Sequence, residues 1–128
     1  MNTRRLYIAT LILSLLAGSG PAFAHHAWHG YDMQTITSVK GTVTQFDWSN
    51  PHVWISFEAR DEKGNIEKCS AGGPSPSRMA GTGWDKGTLK PGDPITAVGH
   101  RITDGTYSLR LEKVVLSNGR ELICYGGR

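Results

Sequence analysis

The chain is organised around ten residues, Phe46-Asp47-Trp48-Ser49-Asn50-Pro51-His52-Val53-Trp54-Ile55, which include two of the four tryptophans. The centre of this segment is typical of a turn, because Asn bonds its own backbone and Pro fixes φ without offering a donor to a β-ladder. From His52 onward apolar and mostly polar side chains alternate, with Val53, Ile55, Phe57 and Ala59 on the apolar face. That period of two predicts a half-buried strand. We therefore place the corner between two long β-strands here.

The strand before this corner carries its apolar residues on two phases. Val39 and Val43 share one face, whereas Phe46 and Trp48 fall on the opposite one. One extra residue near Thr44-Gln45, a β-bulge, brings both sets to the same side and bends the strand.

Further elements follow at short intervals. We predict strands over residues 66–71, 94–100, 107–116 and 120–125, and one or two helical turns over residues 77–81 with Met79 and Ala80 inward. A second change of phase indicates a bulge near Glu112-Lys113, and Asn118-Gly119 is a strong hairpin signal. This order predicts a mainly β fold, a small OB-type five-stranded barrel with one short helix and an extra C-terminal strand. An open β-sandwich is the alternative.

The first 24 residues have the features of a secretory signal peptide. Arg4 and Arg5 precede an apolar run of thirteen residues, and Ala22-Phe23-Ala24 is a small-x-small cleavage site. The run is shorter than the roughly 20 residues that a membrane span needs. We expect cleavage after Ala24 and a periplasmic or secreted protein without a membrane span. The predicted organisation is a signal peptide over 1–24, a His-containing N-terminal segment over 25–38 and a β-barrel domain over 39–125.

The charge of the chain gives no support for a nucleic-acid partner. The formal net charge is +3, and Arg4 and Arg5 carry two of these charges into the discarded segment. The mature chain of 104 residues has no dense Lys/Arg run, whereas electrostatic binding of nucleic acid needs a clustered basic face. It is long enough for one domain with a modest core.

Short stretches through nearly all of the mature chain form one further pattern: His25-His26, Tyr31-Asp32, residues 40–44, residues 46–55, Gly72-Gly73, Gly83-Trp84, residues 89–93 and Gly99-His100. With them the chain resembles an uncharacterised family of small exported bacterial proteins, a domain of unknown function. The FDW[ST]NPHVWI-type segment is the specific part of the match. The resemblance implies export and a compact, OB-like β-barrel, and it implies no activity. Relatives carry Trp where this chain has Cys69.

Two cysteines, Cys69 and Cys124, form an isolated pair. In an oxidising compartment such a pair predicts a disulfide. The bond would close a loop of more than 50 residues and contribute about 3–4 kcal/mol in unstrained geometry. The alternative is two free, buried thiols.

The mature N-terminus is the strongest candidate for metal chemistry. Cleavage after Ala24 leaves His25 as the first residue, followed by His26 and His29. A free α-amine and neighbouring imidazoles form a nitrogen ligand set that suits copper or zinc, with copper at the top of the affinity order. Such a site loses affinity below about pH 6, where imidazole takes up protons. The alternative is a histidine-rich tail without a fixed role.

The corner itself is the candidate ligand site, with Trp48, Asn50, His52 and Trp54 as its residues. The alternative for Trp54 is packing against a loop or helix, and the alternative for Asn50 and His52 is that they satisfy backbone groups of the turn. We predict no catalytic residues and no enzyme, because neither a strained serine nor an activated cysteine is indicated. The favoured function is an exported β-barrel module that binds an undefined small ligand or protein partner. The alternative function is copper handling through the N-terminal histidines. The sequence predicts neither the oligomeric state nor a cofactor beyond copper.

Overall fold

The structure is a computed structural model that describes residues 28–125, and these form six strands and one short helix. In chain order the elements are β1 (Thr37–Asp47), β2 (Trp54–Arg60), β3 (Ile66–Gly72), α1 (Pro76–Ala80), β4 (Pro94–Arg101), β5 (Ser108–Leu116) and β6 (Glu121–Ile123). The expected signal peptide, its cleavage site, His25 and His26 lie outside the described residues.

Five of the strands close into a barrel. β1 pairs antiparallel with β2 and β4, β2 pairs with β3, and β4 pairs with β5. Parallel pairing of residues 70–72 with residues 108–110 joins β3 to β5 and completes the ring. β6 bonds to β5 outside the ring, through residues 113–115. The predicted five-stranded OB-type barrel with a short helix and an extra C-terminal strand is therefore confirmed, and the open sandwich is not formed.

The bulge predicted in β1 is present. Val43 lies opposite Phe57 and Gln45 lies opposite Ser56, so Thr44 is the extra residue. Beyond it the phase changes, and Phe46 and Trp48 pack against the same core as Val43. The bulge thus lets one long strand bury two sets of apolar side chains while it bends around the barrel.

The second predicted bulge is also present and lies in β5. Val98 pairs with Lys113 and Gly99 pairs with Leu111, so Glu112 is the extra residue. Gly99 approaches β5 closely here, because a Cβ at this position would lie 2.0 Å from the Arg110 carbonyl oxygen. Only glycine fits this crossing of β4 and β5.

The core lies inside the barrel and follows the predicted alternation of β2. Val53, Ile55 and Phe57 are at most 1% exposed, and Ala59 is also buried. Large apolar side chains of this kind each contribute about 1.5–3 kcal/mol when they are fully buried. The inward face of the second strand is therefore correctly given by its period of two.

The segment between β3 and β4 covers one end of the barrel. Met79 of α1 is fully buried, but Ala80, which was expected to face inward, is exposed, because one short turn buries only one side. Trp84 follows the helix, is 2% exposed, and donates from Nε1 to the Ile123 carbonyl at 2.9 Å. This bond ties β6 to the end of the barrel.

The structure corrects the expectation of a disulfide, because Cys69 and Cys124 are free, buried thiols. Next to Cys69, the Ser70 amide bonds the Tyr107 carbonyl, whereas the Cys124 amide bonds the Glu112 carbonyl. Glu112 is five steps of extended chain beyond Tyr107, which is roughly 16 Å. A disulfide needs Cα atoms within about 7 Å. The two cysteines thus lie too far apart along the barrel to form a disulfide.

Candidate functional site

Four hydroxyl side chains form a row across the outer surface of the barrel, and we call it the hydroxyl row: Thr44, Ser56, Ser70 and Ser108. Ser56 pairs with Ser70, Ser70 pairs with Ser108, and Thr44 is the bulge residue beside Ser56. Their chain neighbours Phe57, Cys69 and Leu109 point into the core. Strand alternation therefore turns all four hydroxyls to the outside.

Two members of the row are joined to the N-terminal part of the described chain. Ser70 Oγ donates to Ser108 Oγ at 3.1 Å, and Ser108 Oγ lies 3.0 Å from Tyr31 Oη. The three hydroxyls form a connected chain that fixes the side-chain positions at one end of the row.

An open cleft of about 480 Å³ lies over the hydroxyl row. Besides the row, it is lined by Phe57, Glu58, Lys68, Cys69, Thr106 and Tyr107. Its volume lies within the roughly 300–1,000 Å³ that is common for small-molecule sites. Its walls come from β1, β2 and β3 and from the segment that leads into β5.

Beside this cleft lies an aromatic cluster, which we define as Trp28, Tyr31, His52 and Trp54. The Trp28 ring centroid lies 5.1 Å from that of His52, 5.5 Å from Tyr31 and 6.3 Å from Trp54. Trp54 precedes Ser56 by two residues on the same face of β2, which places it roughly 7 Å from the hydroxyl row. The cluster therefore borders the row.

Gly72 makes room for the two indoles above β3. A Cβ at this position would lie 2.7 Å from Trp54 and 3.0 Å from Trp28. Gly72 pairs with Trp54 on one side and with Arg110 on the other. The absence of a side chain here lets the rings lie low over the sheet.

Residues 28–35, which we call the N-terminal strap, hold Trp28 in this position. The Gly30 carbonyl accepts bonds from the Thr103 amide at 2.8 Å and the Thr103 hydroxyl at 2.9 Å. The Asp32 amide donates to the Arg101 carbonyl at 2.8 Å, and Tyr31 forms a bridge with Ile102. The strap is thus bonded to β4 and to the loop that follows it.

A group of polar side chains centred on Arg110 contacts Trp28 of the strap. Arg110 forms an ion pair with Glu112, and its guanidinium carbon lies 4.4 Å from the Tyr125 ring centroid and 5.7 Å from that of Trp28. Glu112 Oε1 also lies 3.3 Å from His100 Nε2. Contacts of a guanidinium with aromatic faces are attractive, so this group and the aromatic cluster stabilise each other.

His100 joins this group to the far end of the strap. Its ring is buried, and Nδ1 lies 2.9 Å from the Thr35 carbonyl and 3.1 Å from the Asp32 carbonyl. Carbonyl oxygens only accept, so Nδ1 carries a hydrogen and Nε2 faces Glu112. Both ends of the strap are therefore held by residues that pair directly across β4 and β5, His100 and Arg110.

The family of unknown function DUF6152 matches residues 12–109, about three quarters of the chain. The chain belongs to this family. No curated protein matches this DUF6152 chain. Among solved structures it is similar to the ZRD-deleted mutant of TiaS in complex with agmatine, at 20% identity and a TM-score of 0.43. That match covers 63% of the DUF6152 chain and 21% of the other, so the chain spans about a fifth of that protein's length.

Two of the four residues predicted for the ligand site lie in the aromatic cluster of the DUF6152 barrel. The Trp54 ring centroid lies 6.3 Å from that of Trp28, and His52 donates from Nδ1 to the Gly73 carbonyl at 3.1 Å. Trp48 instead packs against the core, with its ring centroid 6.0 Å from that of Phe46. Asn50 is exposed in the corner, before a cis peptide bond to Pro51. The structure thus brings His52 and Trp54 together and places the other two elsewhere.

The predicted metal ligands are only partly within the described residues. His29 is exposed on the strap beside Trp28. Residues 28–125 contain no group of three or more His, Cys, Asp or Glu side chains that could hold a metal ion. In the same range no helix is long and apolar enough to cross a membrane.

Sequence reasoning missed Trp28, Arg110 and the hydroxyl row as a connected set. Trp54, Ser56, Glu58 and Arg60 were expected to share the polar face of the second strand, but Ser70 on the polar face of the third strand was not joined to them. Ser108 joins them only through the pairing of β3 with β5, which are not consecutive in the chain. Trp28 lies in a segment without strand or helix periodicity, so no pattern connected it with Trp54.

Proposed function

We propose that this protein is an exported, non-enzymatic module that binds a small ligand in the cleft over the hydroxyl row. The observation that carries the proposal is the row itself, four outward hydroxyls on four adjacent strands under an open cleft. Hydroxyls both donate and accept hydrogen bonds, and a few convergent polar groups in a concave site are typical of ligand binding.

The neighbouring histidines support binding rather than catalysis. His52 donates from Nδ1 to the Gly73 carbonyl, and His100 donates from Nδ1 to strap carbonyls while Nε2 faces Glu112. A general base has to reach the proton that it removes. In residues 28–125 neither imidazole is among the residues that line the cleft.

The proposal is tested by amide chemical-shift mapping of the mature protein with three probes: a neutral disaccharide, a tripeptide and inorganic phosphate. We expect one probe to shift the amides of Ser56, Ser70 and Ser108 in a saturable way. Ser70→Ala should weaken that binding at least fivefold, whereas Ser38→Ala, the same change on exposed β1 surface outside the cleft, should not. Saturable shifts confined to other surfaces, or none with any probe, would refute a ligand site in this cleft.

Export is part of the proposal and has its own test. The basic start, the apolar run and the site after Ala24 support cleavage by a signal peptidase. We expect the protein in the extracytoplasmic fraction, with His25 as its first residue on N-terminal sequencing. An intact N-terminus in the cytoplasmic fraction would contradict this.

Copper handling is a second candidate, supported by the position of the strap. The Trp28 ring centroid lies 5.1 Å from that of His52, and Trp28 is three steps along the chain from the expected first residue, His25. These span at most about 11 Å. Since His52 uses Nδ1 for Gly73, its Nε2 is the nitrogen that could join His25, His26 and His29.

Calorimetric titration with copper distinguishes a site from a histidine-rich tail. We expect one copper per chain with a Kd near 1 nM, about −12 kcal/mol. One residue added before His25 should weaken binding at least tenfold, because it displaces the α-amine. Micromolar affinity, or affinity unchanged by the extension, would leave copper handling without support.

A further inference from the structure

We infer that the ligand of the cleft is a neutral saccharide, an inference that rests on the proposed binding function. The first reason is the chemistry of the hydroxyl row. Thr44 and Ser56 make no side-chain hydrogen bond to any other residue in the range 28–125, while Ser70 and Ser108 are held in place by their chain to Tyr31. A sugar hydroxyl, like a serine hydroxyl, donates one bond and accepts two. The row therefore offers matching hydrogen-bond partners on four adjacent strands.

The charge of the cleft excludes a strongly charged ligand. Glu58 and Lys68 line it and are directly paired between β2 and β3, so one negative and one positive group stand side by side. Two nearby arginines have other partners. The guanidinium carbon of Arg101 lies 4.5 Å from the Tyr107 ring centroid, and Arg110 forms an ion pair with Glu112. Recognition of a phosphate or carboxylate needs clustered cationic donors, and the lining of this cleft has only Lys68.

The shape of the surface fits sugar rings. Two small residues of β3 and β5, Ser70 and Ser108, form a low floor between the indole of Trp54 at one end and the side chains of Glu58 and Lys68 at the other. Trp54 and Glu58 are four residues apart on β2, roughly 13 Å, which is long enough for two rings end to end. Aromatic faces at the border suit the apolar C–H faces of a pyranose.

The backbone beneath this floor is not available to a peptide. Residues 70–72 of β3 are paired with β2 on one side and with β5 on the other. An extended peptide binds a sheet by adding a strand to an open edge, and the closed barrel offers none at this floor. Polar side chains, with the hydroxyl row at their centre, must therefore supply the hydrogen bonds to a ligand on this floor.

The test titrates the mature protein with cellobiose, maltose and the disaccharide of N-acetylglucosamine, and with tri-alanine and inorganic phosphate for comparison. We expect at least one disaccharide to bind with a Kd below about 1 mM and to shift the amides of Ser56, Ser70 and Ser108. The same sugar should change Trp fluorescence. Ser56→Ala, which removes a hydroxyl without an internal partner, should weaken binding at least fivefold, and Ser38→Ala should leave it unchanged.

The outcomes separate the inference from the proposed function. Binding of tri-alanine or phosphate at the same amides, without any disaccharide, overturns the saccharide and leaves a binding module. Shifts from no probe overturn both. A disaccharide that binds equally well to Ser56→Ala and Ser70→Ala, with both variants folded by amide spectra, also overturns the inference, because the hydroxyl row then takes no part.

Discussion

The carboxylate of Glu112 lies 3.3 Å from Nε2 of His100, and Glu112 is the bulge residue of β5. The bulge turns this side chain to the same outer surface as Arg110, so one carboxylate contacts both Arg110 and His100. A bulge is a common means of redirecting a side chain. Here it joins β4, β5 and the strap in one polar group.

We predict that Glu112→Ala lowers the free energy of unfolding by about 1–3 kcal/mol, because it leaves a mostly buried guanidinium without its carboxylate. The control is Glu121→Ala, which breaks the exposed Lys113–Glu121 pair and should cost at most about 0.5 kcal/mol. Denaturant unfolding measures both. Equal losses of unfolding free energy would show that the burial of Arg110 does not strengthen its ion pair with Glu112.

Gly72 and Gly99 should respond differently to alanine. At Gly99 the added Cβ meets a backbone oxygen at 2.0 Å, whereas at Gly72 it meets the tips of two indoles. Side chains can move and a central strand cannot, so Gly99→Ala should cost more than about 3 kcal/mol and Gly72→Ala about 1–3 kcal/mol. Gly72→Ala should also change Trp fluorescence. A Gly99→Ala variant of unchanged stability would contradict the close crossing of β4 and β5.

The thiol of Cys124 should make stability fall at alkaline pH. Burial, followed by the nearby Glu112 carboxylate, raises the pKa of this thiol from 9.0 to about 12. The folded state then keeps a proton that the unfolded chain loses above pH 9, so the stability present below pH 9 declines as the pH rises toward 12. At pH 10 the loss is about 1.4 kcal/mol.

Unfolding of the native protein and of Cys124→Ala at pH 8 and pH 10 isolates this effect, since Cys69 and Tyr125, whose pKa values burial also raises, are common to both. The pH-dependent loss should be about 1.4 kcal/mol smaller in the variant. Identical losses would exclude a buried Cys124 thiol. The denatured protein should also show two free thiols per chain without reductant.

The hydroxyl of Tyr125 should contribute nothing to stability. Its oxygen is buried and has no hydrogen-bond partner within residues 28–125, while its ring lies on Arg110. Tyr125→Phe keeps the ring contact and removes an unsatisfied group, so stability should stay the same or rise by up to about 1 kcal/mol. Tyr125→Ala should lower it by about 2–4 kcal/mol. A loss with Phe would reveal a partner for the hydroxyl.

The sequence was most informative where a local pattern controls the structure. The alternation after His52 gave the inward face of β2, and the changes of phase gave the bulges at Thr44 and Glu112, because side-chain period and burial are linked in any strand. The Asn118-Gly119 turn was equally local. The closed barrel followed from strand order and bulges together.

The site was predicted less well, because its residues come from distant parts of the chain. His52 and Trp54 were recognised, but the ring between them and Arg110 belongs to Trp28, and Ser108 reaches Ser70 through a parallel pairing. Periodicity reports only on local structure, so contacts between distant segments cannot be recognised from it in a single sequence. The disulfide failed for a related reason, since compartment and cysteine count do not fix the distance between two side chains.

Arg110 has a consequence for the connectivity of the molecule. The rings of Trp28 and Tyr125, at opposite ends of the described chain, lie 5.7 Å and 4.4 Å from the same guanidinium carbon. Residues 28–125 therefore form nearly a closed loop. A short linker from residue 125 to residue 28 would allow the chain to be reopened at the exposed hairpin of Asn118 and Gly119, and ends that lie this close generally tolerate circular permutation. The same barrel should then form even when its strands are synthesised in a different order.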